Sequence, residues 1–146
     1  MTEEPASPAL VPELIVEDLS QSLAFWCDLA GFSITYQRPE TGFAFVSREG
    51  AAFMLEQRNL ADRTWETGEL VRPYGRGINF EVHVVSIEPT LWALRQVGWP
   101  LYAEPEEKWY RIDEREAGVR QFLVQDPDGY LLRFSQHFGW RAATAG

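Results

Sequence analysis

One order of elements occurs twice in this chain. A short apolar strand is followed by an amphipathic helix, a glycine with an aromatic residue after it, and then three strands. In the first pass Leu10 to Val16 reads as a strand, with Pro12 marking an edge or a bulge near its start. Asp18 stands as an N-cap with Gln21 three residues on, and Leu19, Leu23, Trp26 and Ala30 recur at helical spacing. That pattern predicts a helix over 19–30, closed by Gly31 and followed by Phe32. Strands are predicted over 32–38, 42–48 and 51–57, with Glu49-Gly50 as a turn. The second pass predicts a strand over 78–85 and a helix over 86–97 with Pro89 in its first turn. Gly98 and Trp99 then repeat the glycine–aromatic pair, before strands over 101–103, 109–115, 119–125 and 130–136, the first of them a short extra piece beside the three of the first pass. The fold class expected is therefore α+β: two βαβββ modules forming a curled mixed sheet around a cleft. The modules are 10–57 and 78–136, joined by a long connection over 58–77 and followed by a tail over 137–146. A connection of that length is functional or a linker. Residues 1–9 are expected to fray.

The chain has 146 residues, 45% of them hydrophobic, which suits one ordinary domain or two small halves sharing a core. Its net charge of −9 argues against nucleic acid, because phosphate binding needs a basic footprint. Cys27 is the one cysteine, so no internal disulfide forms. Its neighbours Phe25, Trp26 and Leu29 point to a buried, inert thiol on the helix. No apolar run approaches the roughly 18 residues a membrane span needs, and no signal peptide is recognisable, so a cytoplasmic protein is expected.

Asp126-Pro127-Asp128-Gly129 is turn chemistry: Pro127 presets φ, Asp128 bonds its own backbone and Gly129 accepts φ > 0. The flanking strands, Val119 to Gln125 and Tyr130 to Gln136, make it a hairpin that ends in Arg133-Phe134-Ser135-Gln136. With Val16-Glu17-Asp18-Leu19, Ala24-Phe25-Trp26, Gly31-Phe32 and Ile78-Asn79-Phe80-Glu81-Val82, this hairpin resembles the vicinal oxygen chelate superfamily over residues 10–136. Within it the likeness is to the bleomycin-resistance-type drug-binding proteins. The enzymes of that superfamily hold a divalent metal on the first and last strands of each half. The matching positions here are Val11 or Pro12, Glu56 (Met54 in the other register), Gly77 or Ile78, and Arg133. One carboxylate is not a metal site, and a cationic Arg133 repels a metal. His83 and His137, the only histidines, fall at none of these positions.

The resemblance therefore implies no cofactor and no metal. It implies a homodimer that sequesters a bulky aromatic or cationic small molecule in a groove between subunits. Six Trp, five Tyr and nine Phe supply stacking surface for such a ligand. The candidate lining residues are Phe43, Met54, Glu56, Trp65, Phe80, Trp109, Tyr110 and Arg133, with Glu106, Glu107 and Glu114 as an acidic rim. Strand alternation leaves two options for Arg133: it faces the cleft and pairs with Glu56, or it faces solvent. The alternative reading is a metal-dependent lyase, isomerase or dioxygenase. Further alternatives are a metal-free enzyme, with Glu56 or Glu81 as base and Arg133 or Arg120 stabilising an anion, and a partner-binding regulatory module.

Overall fold

A computed structural model describes residues 7–60 and 63–144. The first module runs β1 (Glu13–Val16), α1 (Leu19–Leu23), β2 (Ser33–Arg38), β3 (Phe43–Arg48) and β4 (Ala51–Gln57). The second runs β5 (Asn79–His83), α2 (Glu88–Gln96), β6 (Ala103–Ile112), β7 (Arg115–Gln125) and β8 (Leu131–Ala142). The sheets have the orders β1-β4-β3-β2 and β5-β8-β7-β6. In each, the first strand pairs parallel to the last and the other pairs are antiparallel. The repeated order of elements in the sequence is thus a repeated topology.

Local chemistry starts and stops the helices as expected. The Asp18 carboxylate accepts the Gln21 N–H at 3.2 Å and caps α1. The predicted single helix changes winding, however: after Leu23 it continues as a π-helix over Ala24–Leu29. The wider turn admits adjacent Phe25 and Trp26 to the core together, both essentially unexposed. Gly31 (φ +79°) and Gly98 (φ +67°) take the left-handed conformation that reverses the chain. The aromatic after each then donates back into its helix, Phe32 N–H to Trp26 C=O and Trp99 N–H to Leu94 C=O, both at 2.9 Å.

Alternate strand residues make one core common to both modules. Leu14, Val16, Val46, Phe53 and Leu55 from the first sheet are buried with Val82, Phe122, Val124, Leu132 and Phe134 from the second. Phe25, Trp26, Leu91 and Leu94 complete it from the helices. Burying a side chain of this kind contributes about 1.5–3 kcal/mol each, so the shared core binds the halves into one unit.

The Asp126 turn is the second link between the modules. Its Oδ1 accepts the N–H groups of Asp128, Gly129 and Tyr130 at 2.9–3.0 Å, and its Oδ2 accepts Trp26 Nε1–H at 3.2 Å across 100 residues of sequence. Burial pushes this carboxyl up to about 6, against the pull of those donors. Tyr130 donates to the Ile15 carbonyl at 2.9 Å, Asp128 pairs with Arg72 at 2.9 Å, and Tyr74 donates to Glu17.

Two boundaries differ from the expectation. The predicted tail is strand, because β8 continues past Gln136 to Ala142 and pairs with Arg115–Val119 of β7. Phe138 and Trp140 suit a pleated surface, and the partner strand satisfies the backbone. The chain also turns at Asp113-Glu114, with Asp113 at φ +57°, so the strands predicted over 109–115 and 119–125 are the long β6 and β7. Residues 1–6, most of the segment expected to fray, lie outside the described residues. No helix among the described residues is long and apolar enough to cross a membrane.

Candidate functional site

The residues that alternate with the core form the outer face of each sheet. On the first sheet the register sets Phe43 beside Glu56, Phe45 beside Met54, and Glu13 and Ile15 beside Met54 and Glu56. Tyr36 stacks on Phe45 at 5.2 Å, and the Arg38 guanidinium lies 4.0 Å over the Phe43 ring. At one end a cavity of about 460 Å³ is lined by Glu13, Arg38, Thr41, Glu56, Arg63 and Trp65. Trp65 is 69% exposed, with Arg63 at 4.7 Å over its ring. Burial, then the neighbouring Glu56 carboxyl hydrogen-bonded to it, push the Glu13 carboxyl up, and Arg38 opposes them. Among the described residues neither carboxyl is salt-bridged, since both nearby guanidiniums lie on aromatic rings instead. This face therefore offers an aromatic floor beside two carboxyls that a cation would relieve.

The outer face of the second sheet holds a cavity of about 600 Å³ lined by Glu81, His83, Tyr110, Ile112, Ala117, Val119, Arg133, His137 and Trp140. Glu81 bridges His83 at 3.1 Å and Arg133 at 3.3 Å, and Arg133 Nε donates to Asn79 at 3.2 Å. His137 packs against Trp140 at 5.1 Å. Beneath this surface lie Gln121 and Ser135, 3% and 0% exposed, on neighbouring strands. Gln121 Nε2 donates to Tyr110 Oη at 2.6 Å and Glu106 Oε1 at 3.1 Å, whereas Gln121 Oε1 and Ser135 Oγ have no partner. The two cavities share no lining residue.

The structure brings Phe43, Met54, Glu56 and Trp65 together on the first face, and Tyr110 and Arg133 on the second. Phe80 is not a lining residue. It packs half-buried against the core, 5.2 Å from Phe53, because β5 turns Phe80 and Val82 inward and Asn79, Glu81 and His83 outward. Trp109 alternates with Tyr110 and so takes the opposite side of β6. There it meets Phe138 at 5.2 Å and lies under the Arg141 guanidinium. Arg133 does face a cavity, but its partner is Glu81 and not Glu56, since parallel pairing of β5 with β8 sets those two directly opposite. Cys27 is half-buried rather than buried, and burial pushes its thiol up.

Sequence reasoning missed Glu13, Arg38 and Arg63 on the first face and His83, Ile112, His137 and Trp140 on the second. Alternation from Glu56 through the β1 register would have reached Glu13. Trp140 was hidden by the assignment of its segment to a tail.

The residues at the positions where the resemblance implies a metal do not fit one. Glu56 lies on one face, and Arg133, a cation, holds the corresponding place on the other. Among the described residues no three His, Cys, Asp or Glu side chains converge as a metal site would need.

No family model and no curated protein sequence matches the chain. Solved structures match its fold. TioX from Micromonospora sp. ML1 is 18% identical, over 90% of this chain and 100% of its own, with a TM-score of 0.69. A glyoxalase/bleomycin resistance protein/dioxygenase from Alicyclobacillus acidocaldarius is 19% identical over 94% and 96%, with a TM-score of 0.60. Lactoylglutathione lyase from Agrobacterium tumefaciens is 17% identical over 91% and 96%, with a TM-score of 0.58. The fold is that of the vicinal oxygen chelate superfamily, the glyoxalase/bleomycin resistance/dioxygenase architecture.

Proposed function

We propose that this chain is a metal-free small-molecule-binding protein of the bleomycin-resistance type. It sequesters a bulky aromatic or cationic ligand and does not turn it over. The observation that carries this reading is the first outer face: Tyr36, Phe43, Phe45 and Met54 form an apolar floor, and Glu13, Glu56 and Trp65 stand at its end. Phe43 and Phe45 are buried beneath Arg38 and Tyr36, so a flat ring stacks on the exposed Tyr36 beside Met54, or takes the place of Arg63 on the Trp65 indole, and a cation is met by the carboxyls.

A homodimer in the cytoplasm completes the reading. Each outer face carries exposed large side chains: Tyr36 on β2, Ile112 and Trp140 on the long hairpin. A second copy that covers these surfaces would turn each open face into a groove.

The test is titration of cationic aromatic drugs, bleomycin first, against tryptophan fluorescence. Native mass spectrometry then gives the number of chains and ligands per complex. Saturable binding that Glu56→Gln and Trp65→Ala weaken, with the ligand recovered intact, is the expected result. Retention of about one divalent metal per chain through dialysis, or turnover of the ligand, overturns the proposal.

A further inference from the structure

The second outer face carries a chemical preference of its own. Gln121 is held between two groups, and one of them fixes its amide. Glu106 offers only acceptor oxygens, so the nitrogen that reaches Glu106 at 3.1 Å must be the Nε2 donor. The same Nε2 reaches Tyr110 Oη at 2.6 Å, so the phenol oxygen is the acceptor in that bond. A phenol whose oxygen accepts keeps its own O–H to give away. Tyr110 lines the cavity, and no described protein group accepts from its hydroxyl. The Tyr110 O–H is therefore an available donor in a cavity of about 600 Å³.

The surroundings define what takes it. Ile112, Ala117, Val119 and Trp140 make most of the wall around Tyr110. The charge of Glu81 is matched by Arg133, with His83 in contact on its other side, and Arg133 stands apart from Tyr110 in the register, on the row of Glu81 and Leu123. Arg133 commits Nη1 to Glu81 and Nε to Asn79, which leaves Nη2 as a second donor in the same cavity. Buried Gln121 Oε1, the atom turned away by this arrangement, has no partner. An amide with an unsatisfied buried oxygen costs free energy, and here the orientation that leaves it so is the one that aims Tyr110 as a donor.

We infer that the second face binds an aromatic ligand through an oxygen acceptor, a carbonyl or carboxylate placed on the Tyr110 hydroxyl. This rests on the small-molecule reading above and adds the chemical group that the second face selects.

The experiment uses three naphthalene probes on the full chain, followed by tryptophan fluorescence and by ligand-observed NMR. 1-Acetonaphthone carries the acceptor, 1-isopropylnaphthalene has nearly its shape without it, and 1-naphthylmethylammonium carries the cation. The acetonaphthone is expected to bind about tenfold tighter than the isopropyl probe, the usual worth of one well-made buried hydrogen bond. Tyr110→Phe keeps the ring and removes the donor, and is expected to erase that ratio while leaving isopropylnaphthalene binding unchanged. Gln121→Met is expected to weaken acetonaphthone alone, since the phenol is then free to rotate; circular dichroism checks that both variants fold. Equal binding of the two neutral probes, or a preference that survives Tyr110→Phe, overturns the inference. If the ammonium probe binds and the ketone shows no preference, the groove reading stands and this one falls. If no probe binds, both fall.

Discussion

Replacing Asp126 tests whether the turn holds the modules together. Asp126→Ala removes the acceptor of four N–H groups. Gly129 N–H keeps a second acceptor, the Asp126 carbonyl at 3.0 Å. Three donors are then orphaned: the backbone N–H of Asp128 and Tyr130 and the Trp26 indole. A buried donor without a partner costs about 1–3 kcal/mol, so the sum is about 3–9 kcal/mol. A cavity of about 750 Å³ borders Asp126 and admits water to part of the site, which places the expected loss at about 3–5 kcal/mol. For a chain of this length that lowers Tm by roughly 6–20 °C. Asp126→Asn keeps Oδ1 for the turn and sets an NH₂ against the Trp26 N–H, so it costs about 1–3 kcal/mol. Urea unfolding followed by intrinsic fluorescence measures both. The pH dependence has a definite sign. The folded carboxyl is raised from 3.8 to about 6, so its contribution is fully present below 3.8 and is lost as pH rises through about 6. The gap between wild type and Asp126→Asn is therefore widest near pH 4 and narrows as pH rises toward 7. A loss under about 1 kcal/mol for Asp126→Ala, or a gap that widens with pH, refutes the argument.

Three further outcomes are expected. Glu13 has its carboxyl raised, so its contribution is present at pH 4 and lost as pH rises; Glu13→Gln should match wild type near pH 4 and melt higher at pH 8, by scanning calorimetry. Phe80→Ala should cost about 3 kcal/mol of stability, as a core truncation, and leave probe affinities at both faces unchanged, whereas Met54→Ala should weaken first-face binding with a smaller stability loss. Ending the chain after Gln136 would strip the partner from Arg115–Val119 of β7 and expose its edge, so the shortened protein should aggregate in light scattering where the full chain stays dispersed.

The fold was legible where local chemistry and global topology agree. Asp18, Gly31 and Gly98 each carry a signal that a single residue type can express, and each stands in the role expected of it; the turn at Asp126 lies where expected, but Asp126 and not Asp128 bonds its backbone, while the Asp128 carboxylate pairs with Arg72 and accepts the Glu17 N–H. What the sequence left open depends on pairing. Phe80 and Trp109 are one residue out of phase with Glu81 and Tyr110, and a strand's period of two makes that a change of face. The end of β8 was illegible for the same reason: Gly139 and the small residues after Trp140 look like a tail until β7 is seen to lie beside them. The role of Arg133 needed the parallel register of β5 with β8, which no local pattern encodes.

That register also explains why the two faces differ. Glu56 and Arg133 lie on the last strands of their modules, each beside the first strand. Arg133 finds Glu81 directly opposite and forms a pair, so the second face is electrically closed at that row. Glu56 finds Ile15, which offers it nothing, and turns to Glu13 one step along β1. Burial and the contact with Glu56 raise the Glu13 carboxyl and so favour a proton on it, and any bound cation competes with that proton. Uptake of a cation at the first face should therefore release a proton, which calorimetric titration in two buffers of different ionisation enthalpy detects as a buffer-dependent heat. Glu13→Gln should abolish the difference and weaken the cation, while 1-acetonaphthone, bound through Tyr110, should show none in either protein. A buffer-independent heat for the cation would mean that Glu13 holds no proton for it to displace, and the first face would have to bind its ligand through its aromatic rings alone.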